Sequence, residues 1–224
     1  MPRQPNLCSV ESTLVLDGEG ITPECADGLT QHSHIWVLFL FHQNLSQGWK
    51  PKVRPPRLGG NDKIGVLATR SSFRPNGIGM SAVELKATRV EKGQLHIKVQ
   101  GLDLVDGTPI VDIKPYIPYS DALPHASSGF AEQAPESALT LDYSGVTAWL
   151  QDNEANYPEL RGILTQVLEA DPRPSYKKSK TDDRIYGIKL YDLNIRWQVK
   201  EQTCHIVSIE ALNANLINNE AGND

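Results

Sequence analysis

The apolar positions of this chain change period along its length, and the changes divide it. Residues 34–41, HIWVLFLF, form an almost unbroken apolar run rich in β-branched and aromatic side chains, which predicts a strand buried on both faces. The run ends in the polar pair His42-Gln43. A second short strand at 64–69 leads into Arg70. Residues 80–90 and 94–100 predict a hairpin about Glu91-Lys92-Gly93, where the glycine supplies a positive φ. In its second strand Leu95, Ile97 and Val99 face one way and His96, Lys98 and Gln100 the other. Residues 102–105 and 108–113 predict another hairpin, closed by Asp106-Gly107. In 112–121, DIKPYIPYSD, polar residues are interleaved with prolines that hold the chain extended.

Residues 122–142 carry little periodicity and read as a linker. From residue 143 the period becomes helical. Residues 146–156 predict one helix, and Pro158 suits the first turn of the next. Leu160, Ile163, Leu164, Val167 and Leu168 fall at i, i+3, i+4, i+7 and i+8, one apolar stripe that Asp171-Pro172-Arg173-Pro174 stops. Strands follow at 184–190, at 193–199 with alternating Leu193, Ile195, Trp197 and Val199, and at 205–212. The expected organisation is a mostly β domain over 1–142 and a small α+β domain over 143–212, in which a helix pair covers an antiparallel sheet. The polar residues 213–224 read as a disordered tail.

Composition narrows the class. Fifteen prolines and seventeen glycines in 224 residues favour short strands and turns over a helical bundle. No apolar run reaches the roughly 18 residues of a membrane span, and MPRQPNLC has no apolar signal segment. Cys8, Cys25 and Cys204 are scattered without CxxC spacing, which fits a reducing cytoplasm and neither a disulfide framework nor a zinc site. His32-x-His34 lacks a third ligand, so no metal is expected.

Charge gives the first chemical direction. The chain has formal charge −5, yet residues 50–84 hold Lys50, Lys52, Arg54, Arg57, Lys63, Arg70 and Arg74, with Asp62 the only acid before Glu84. Glycines and prolines break this stretch into loops. Loops carrying arginine and backbone N–H groups suit phosphates or a carboxylate; a solvated basic loop is the plain alternative. Arg173, Lys177, Lys178 and Lys180 make a second cationic cluster. Trp49 reads equally as a stacking partner or a buried anchor. In 112–121 the polar types are proton donors and acceptors that suit a pocket wall as well as a surface loop.

Several long motifs, in order, carry a resemblance. PRQP (2–5), HSHIWVLFLFHQ (32–43), RPPRLGGN (54–61), GVLATRSSFRPNGIGMS (65–81), LDLVDGTPIVDIKPYIPYSD (102–121) and the DPRPSY…LYDLNIRW block (171–197) resemble the TsaA/TrmO family of bacterial tRNA methyltransferases, over nearly the whole chain. The resemblance implies a closed, mostly antiparallel β-barrel without a Rossmann fold, S-adenosylmethionine as cofactor, and a homodimer. It implies N6-methylation of threonylcarbamoyladenosine at position 37, next to the anticodon of threonine tRNAs. Cofactor contacts carried over by motif fall on Pro2, Arg3, Gln4, His42, Gln43, Arg70, Ala82, Val105, Asp106, Gly107 and Thr108. Asp112, Lys114 or Tyr116 is expected to handle the acceptor proton, with His42 as an alternative. RNA is expected on Lys50, Lys52, Arg54, Arg57 and Arg74, and on Arg173, Lys177 and Lys178. A non-catalytic RNA-binding barrel and a small-molecule methyltransferase are the other readings. Two departures stand out. Family members usually carry a further strand before PRQP, so one barrel edge is expected to lack its neighbour. Gly77 also stands where the family has proline, which removes a φ restraint from that loop.

Overall fold

Strict alternation builds the first sheet, because residues two apart in a strand share a face. The structure, a computed structural model, describes residues 4–55, 58, 62–132, 139–173 and 183–212. They divide into two compact units, Met1–Ala134 and Pro135–Asp224. The first contains β1 (Glu11–Leu16), β2 (His34–Leu40), β3 (Lys52–Val53), β4 (Ile64–Gly65), β5 (Ile78–Glu91), β6 (Gln94–Gln100), β7 (Ile110–Pro115) and the single turn α1 (Pro118–Asp121). Five of the strands form one antiparallel sheet in the order β1-β6-β5-β2-β7, while β3 and β4 pair as a separate ribbon. The β5–β6 hairpin forms as expected, with Gly93 at positive φ in its turn; Lys92 takes a positive φ as well.

The core lies on one face of this sheet. Leu14, Ile35, Val37, Val83, Leu95, Ile97 and Val99 are buried there, and Ala26, Leu29 and Leu102 pack against them from irregular segments. Here β2 departs from expectation. Ile35, Val37 and Phe39 are buried, but Trp36, Leu38 and Leu40 on the opposite face stay partly exposed, so the strand is buried on one face only.

The closed barrel is not formed. Among the described residues there are three sheets and none closes: β1 pairs only with β6, and β7 only with β2. Closure requires the two edge strands to pair with each other. Here the apolar face is covered by loops instead. Charge and proline blunt the edges, with Glu11 on β1 and Asp112, Lys114 and Pro115 on β7. The hairpin expected across Asp106-Gly107 is also absent. The turn exists, closed by Thr108 N–H donating to the Val105 carbonyl at 3.2 Å with Gly107 at φ 73°. Its second arm pairs with β2 rather than with 102–105. Of 64–69 only β4 is strand; Val66–Ala68 is a 3-10 turn. Gly77 sits at φ 59°, a conformation closed to proline, so the loop takes a backbone path that the family residue cannot follow.

The second unit keeps its helical stripe. Its elements are β8 (Thr140–Asp142), α2 (Thr147–Asp152), α3 (Leu160–Glu169), β9 (Tyr186–Leu190), β10 (Leu193–Lys200) and β11 (Thr203–Ala211). The sheet order is β8-β11-β10-β9. Strands β9 to β11 are antiparallel as expected, but β8 adds on parallel to β11. That pairing draws Thr140–Asp142, inside the range expected for the first domain, into the second sheet. All five stripe residues of α3 are buried, as are Leu193, Ile195, Trp197 and Val199 on β10. The 213–224 tail lies outside the described residues.

One ion pair is built into this unit. Asp171 and Arg173 are both buried, and the guanidinium grips the carboxylate as a fork, Nε to Oδ1 and Nη2 to Oδ2, each at 2.9 Å. Burial pushes the nearby Cys204 thiol up to about 12, with the Asp171 charge adding to the effect, which leaves an inert thiol. Arg173 was expected to hold RNA. At 4% exposure, with its guanidinium on Asp171, it is a structural cation instead. Removing it takes away the cation that this buried carboxylate faces, so Arg173→Ala should destabilise the protein by about 3–5 kcal/mol. Urea unfolding checks this; wild-type stability would show that the pair is replaceable.

Candidate functional site

Polar residues gather where the core face of the first sheet stops being aliphatic. Along β5, Gly79, Ser81 and Val83 point to the core, in register with Phe39, Val37 and Ile35 of β2. Gly79 is required there, because a Cβ would run into the rings of Phe39 and Phe41, which meet edge to face at 5.3 Å. Ser81 is 2% exposed, a hydroxyl at a core position. It donates to Asp103 Oδ1 at 2.8 Å, as a buried hydroxyl requires. Asp103 is half-buried. Desolvation pushes its carboxyl above the usual range, against the opposing pull of the Ser81 hydrogen bond and the Arg70 charge.

Three of the residues expected to hold a cofactor converge with this pair. Arg70 Nη1 donates to Gln4 Oε1 at 2.7 Å. Two residues on, Asn6 donates from Nδ2 to the Ala82 carbonyl at 2.9 Å and from its backbone N–H to Gly101 at 2.9 Å. Gln4, Arg70, Ala82 and Asp103 are thereby stitched into one region. The Val105–Thr108 turn continues from Asp103, braced by Thr108 Oγ1 donating to the Val105 carbonyl at 2.6 Å. Leu40 N–H donates to Pro109 at 3.0 Å, which sets this turn beside the end of β2, where half-buried His42 and exposed Gln43 begin a 3-10 turn. Pro2 and Arg3 lie outside the described residues.

The residues expected to handle a proton sit on the other face. Lys114 and Asp112 of β7 are in register with Trp36 and Leu38, whose side chains point away from the core. Lys114 Nζ lies 2.8 Å from Asp112 Oδ2, and this contact is the main reason that the Asp112 carboxyl titrates below its ordinary range. Tyr116 tilts against Trp36 at 5.4 Å and His34 at 6.4 Å. Trp36 Nε1 donates to Asp121 at 2.9 Å. Together with the Ile117 N–H on the same oxygen, this holds the Asp121 carboxyl below its usual range. The sheet therefore separates Asp112 and Lys114 from Ser81 and Asp103.

The cationic stretch is only partly free for a ligand. Lys52 and Arg54 are exposed. Lys50 is exposed too, with its ammonium 4.4 Å above the Phe73 ring. Arg74 is turned inward, its Nη1 donating to the Thr69 carbonyl at 3.2 Å. Trp49 is 56% exposed, which removes the reading as a buried anchor. Arg57, Lys177 and Lys178 lie outside the described residues. Among the described residues no three His, Cys, Asp or Glu side chains converge on a metal position.

Ser81 and Asp103 were missed from the sequence, although a signal was there. Ser81 shares strand parity with Val83, so its hydroxyl had to be buried and had to find a partner.

Comparison with known proteins covers both units. The family model described as tRNA-methyltransferase O N-terminal domain matches residues 1–122, and that of the TrmO C-terminal domain matches 137–212. The tRNA (adenine(37)-N6)-methyltransferase of Escherichia coli K12 is 44% identical over 212 residues, covering 94% of this chain and 90% of that protein. A putative S-adenosylmethionine-dependent methyltransferase of Pseudomonas aeruginosa is 44% identical over 201 residues, covering 88% of this chain and 84% of that protein. A crystal structure of TrmO from P. aeruginosa superposes with a TM-score of 0.74 at 33% identity, covering 94% of this chain and 89% of that one.

Proposed function

This chain belongs to the tRNA-methyltransferase O family, and from that premise we propose that it transfers the methyl group of S-adenosylmethionine to N6 of threonylcarbamoyladenosine at position 37 of threonine tRNA. The enzyme is an S-adenosylmethionine-dependent tRNA methyltransferase acting on adenine 37; the threonylcarbamoyl group and the threonine tRNA are the finer part of the proposal. The observation that carries it is identity running through both units, over 94% of the chain.

The residues suit the cofactor. Its methionine end is a zwitterion, and the site sets Arg70 near Asp103 beside a buried serine hydroxyl. When bound, S-adenosylmethionine supplies a methyl group on a sulfonium that needs no activation. The protein's task is then alignment and the management of one proton. Arg70, its guanidinium steadied by Gln4, takes the carboxylate. The Val105–Thr108 turn offers backbone groups to a polar edge, alongside His42 and Gln43. The acceptor is a ureido nitrogen whose lone pair is delocalised, a poor nucleophile while it keeps its proton. Asp112, Lys114 and Tyr116 are proposed to accept that proton or polarise the acceptor from the outer face of the sheet, which separates Asp112 and Lys114 from the Arg70–Asp103 region. His42 is the second assignment, favoured by its place at the end of the sheet that holds the Val105–Thr108 turn. For RNA we propose Lys50, Lys52 and Arg54 with exposed Trp49, a backbone-and-stacking surface. Arg57, Arg74, Lys177 and Lys178 remain part of this proposal, and Arg173 does not.

The outer face of the sheet supports a homodimer. Ile78 and Met80 of β5 are exposed there, beside Leu40 and Leu38. A cytoplasmic setting is supported by three cysteines that are all free thiols.

Tritium-labelled methyl transfer to threonine tRNA, with and without the threonylcarbamoyl group, tests the reaction. Label should enter the modified tRNA only; label in the unmodified tRNA, or in neither, would reject the acceptor. Arg70→Ala should leave the fold intact and weaken S-adenosylmethionine binding by about 1.5–3 kcal/mol, read by calorimetry; unchanged affinity would remove Arg70 from the site. Met80→Glu should shift the protein from dimer to monomer in sedimentation equilibrium. A wild-type monomer, or a variant that stays dimeric, would exclude this face.

A further inference from the structure

The sequence places a serine where the first sheet needs an aliphatic side chain, and nothing in the fold requires it. Ser81 is in register with Val37, which is fully buried, and follows the parity of Val83, also fully buried. Valine in its place would extend the core. The hydroxyl instead serves Asp103, whose carboxylate is half-buried above the same face. Among the described residues Asp103 has no ion-pair partner within salt-bridge distance, although the Arg70 charge acts on it. A desolvated carboxylate beside a cation that is itself turned to Gln4 is an arrangement of opposite charges left apart. Such an arrangement costs stability unless a ligand completes it.

The ligand chemistry that completes it carries both charges on one carbon. An α-amino acid end presents a carboxylate for a guanidinium and an ammonium for a carboxylate. We propose that Asp103, held by Ser81, receives the α-ammonium group of the cofactor's methionine end while Arg70 receives its carboxylate. This assignment rests on the cofactor reading above. A neutral ribose hydroxyl would leave the desolvated charge on Asp103 uncompensated; the ammonium neutralises it. Ser81 is then a positioning residue. It fixes one carboxylate oxygen and leaves the direction of the other to the ligand.

The test is a cycle of two proteins and two ligands, read by calorimetry rather than by turnover. The ligands are S-adenosylhomocysteine and the same thioether lacking its α-amino group. Asp103→Asn keeps the shape and still accepts from Ser81. It should weaken S-adenosylhomocysteine roughly 10- to 100-fold, the loss of one charge-assisted hydrogen bond. Asp103→Asn should bind the des-amino ligand at least as tightly as the wild-type protein does, because no ammonium is lost and no desolvated charge is left uncompensated. Equal loss on both ligands would assign Asp103 to the ribose or to the fold, and no loss on either would remove it from the site; both outcomes overturn the proposal. Should Asp103→Asn fail to fold, the wild-type protein decides alone. It must prefer S-adenosylhomocysteine over the des-amino ligand by a similar factor, and equal affinities overturn the assignment. Failure of the wild-type protein to bind S-adenosylhomocysteine at all would overturn the cofactor reading, and this assignment with it.

Discussion

The pairing of β2 between β5 and β7 decides most of what the first unit can do. Because strand residues alternate faces, that one register sends Ile35, Val37 and Phe39 into the core and Trp36, Leu38 and Leu40 out of it. It sets Ser81 beside Val37 on the inner face. It also sets Asp112 and Lys114 beside Leu38 and Trp36 on the outer one. A slip of one residue would exchange the two sets, drive a lysine and an aspartate into the aliphatic core and expel Val83 from it. The buried aliphatic residues hold the register, and the register holds the site.

The polar groups follow from what burial permits. Each unit carries a carboxylate withdrawn from water and holds it in a different way. In the second, Asp171 and Arg173 face one another in a two-bond fork, opposite charges in direct contact. In the first, Ser81 satisfies one oxygen of Asp103, and the Arg70 guanidinium near it is engaged by a neutral amide. The closed pair reads as architecture and the open one as recognition. The same distinction sorts the other cations. Arg74 is held by a backbone carbonyl, whereas Lys52 and Arg54 reach solvent beside an exposed tryptophan.

Openness of the sheet changes the picture of the fold more than that of the site. A barrel hides its edges, whereas this sheet covers its inner face with the turns around Ala26, Leu29 and Leu102. Its outer face keeps exposed apolar side chains at Ile78 and Met80. Large apolar side chains left on one face of a sheet mark it as a surface for interaction.

Much was legible in the sequence, because it rested on local periods. The β5–β6 hairpin, the alternation of Leu95, Ile97 and Val99, the apolar stripe of α3 and the Leu193–Val199 alternation are repeats of two or of three to four, and local sterics enforce them. Gln4, Arg70 and Ala82 were expected together from the motifs alone; the hydrogen bonds from Arg70 to Gln4 and from Asn6 to the Ala82 carbonyl, which join these distant segments, come from the fold. What the sequence could not decide depends on pairings between distant segments. Whether β1 and β7 meet is a property of five strands and of the loops over them, so the barrel was expected and an open sheet formed. Whether Asp106-Gly107 makes a hairpin depends on β2 outcompeting 102–105 for β7. Arg173 reads as surface cation in any window of sequence; only the fold around it, with Asp171 turned to meet it, makes it interior. Ser81 and Asp103 are 22 residues apart, and no local rule joins them. The register of β5 against β2 buries the one, and the chain running from Gly101 to the Val105–Thr108 turn delivers the other.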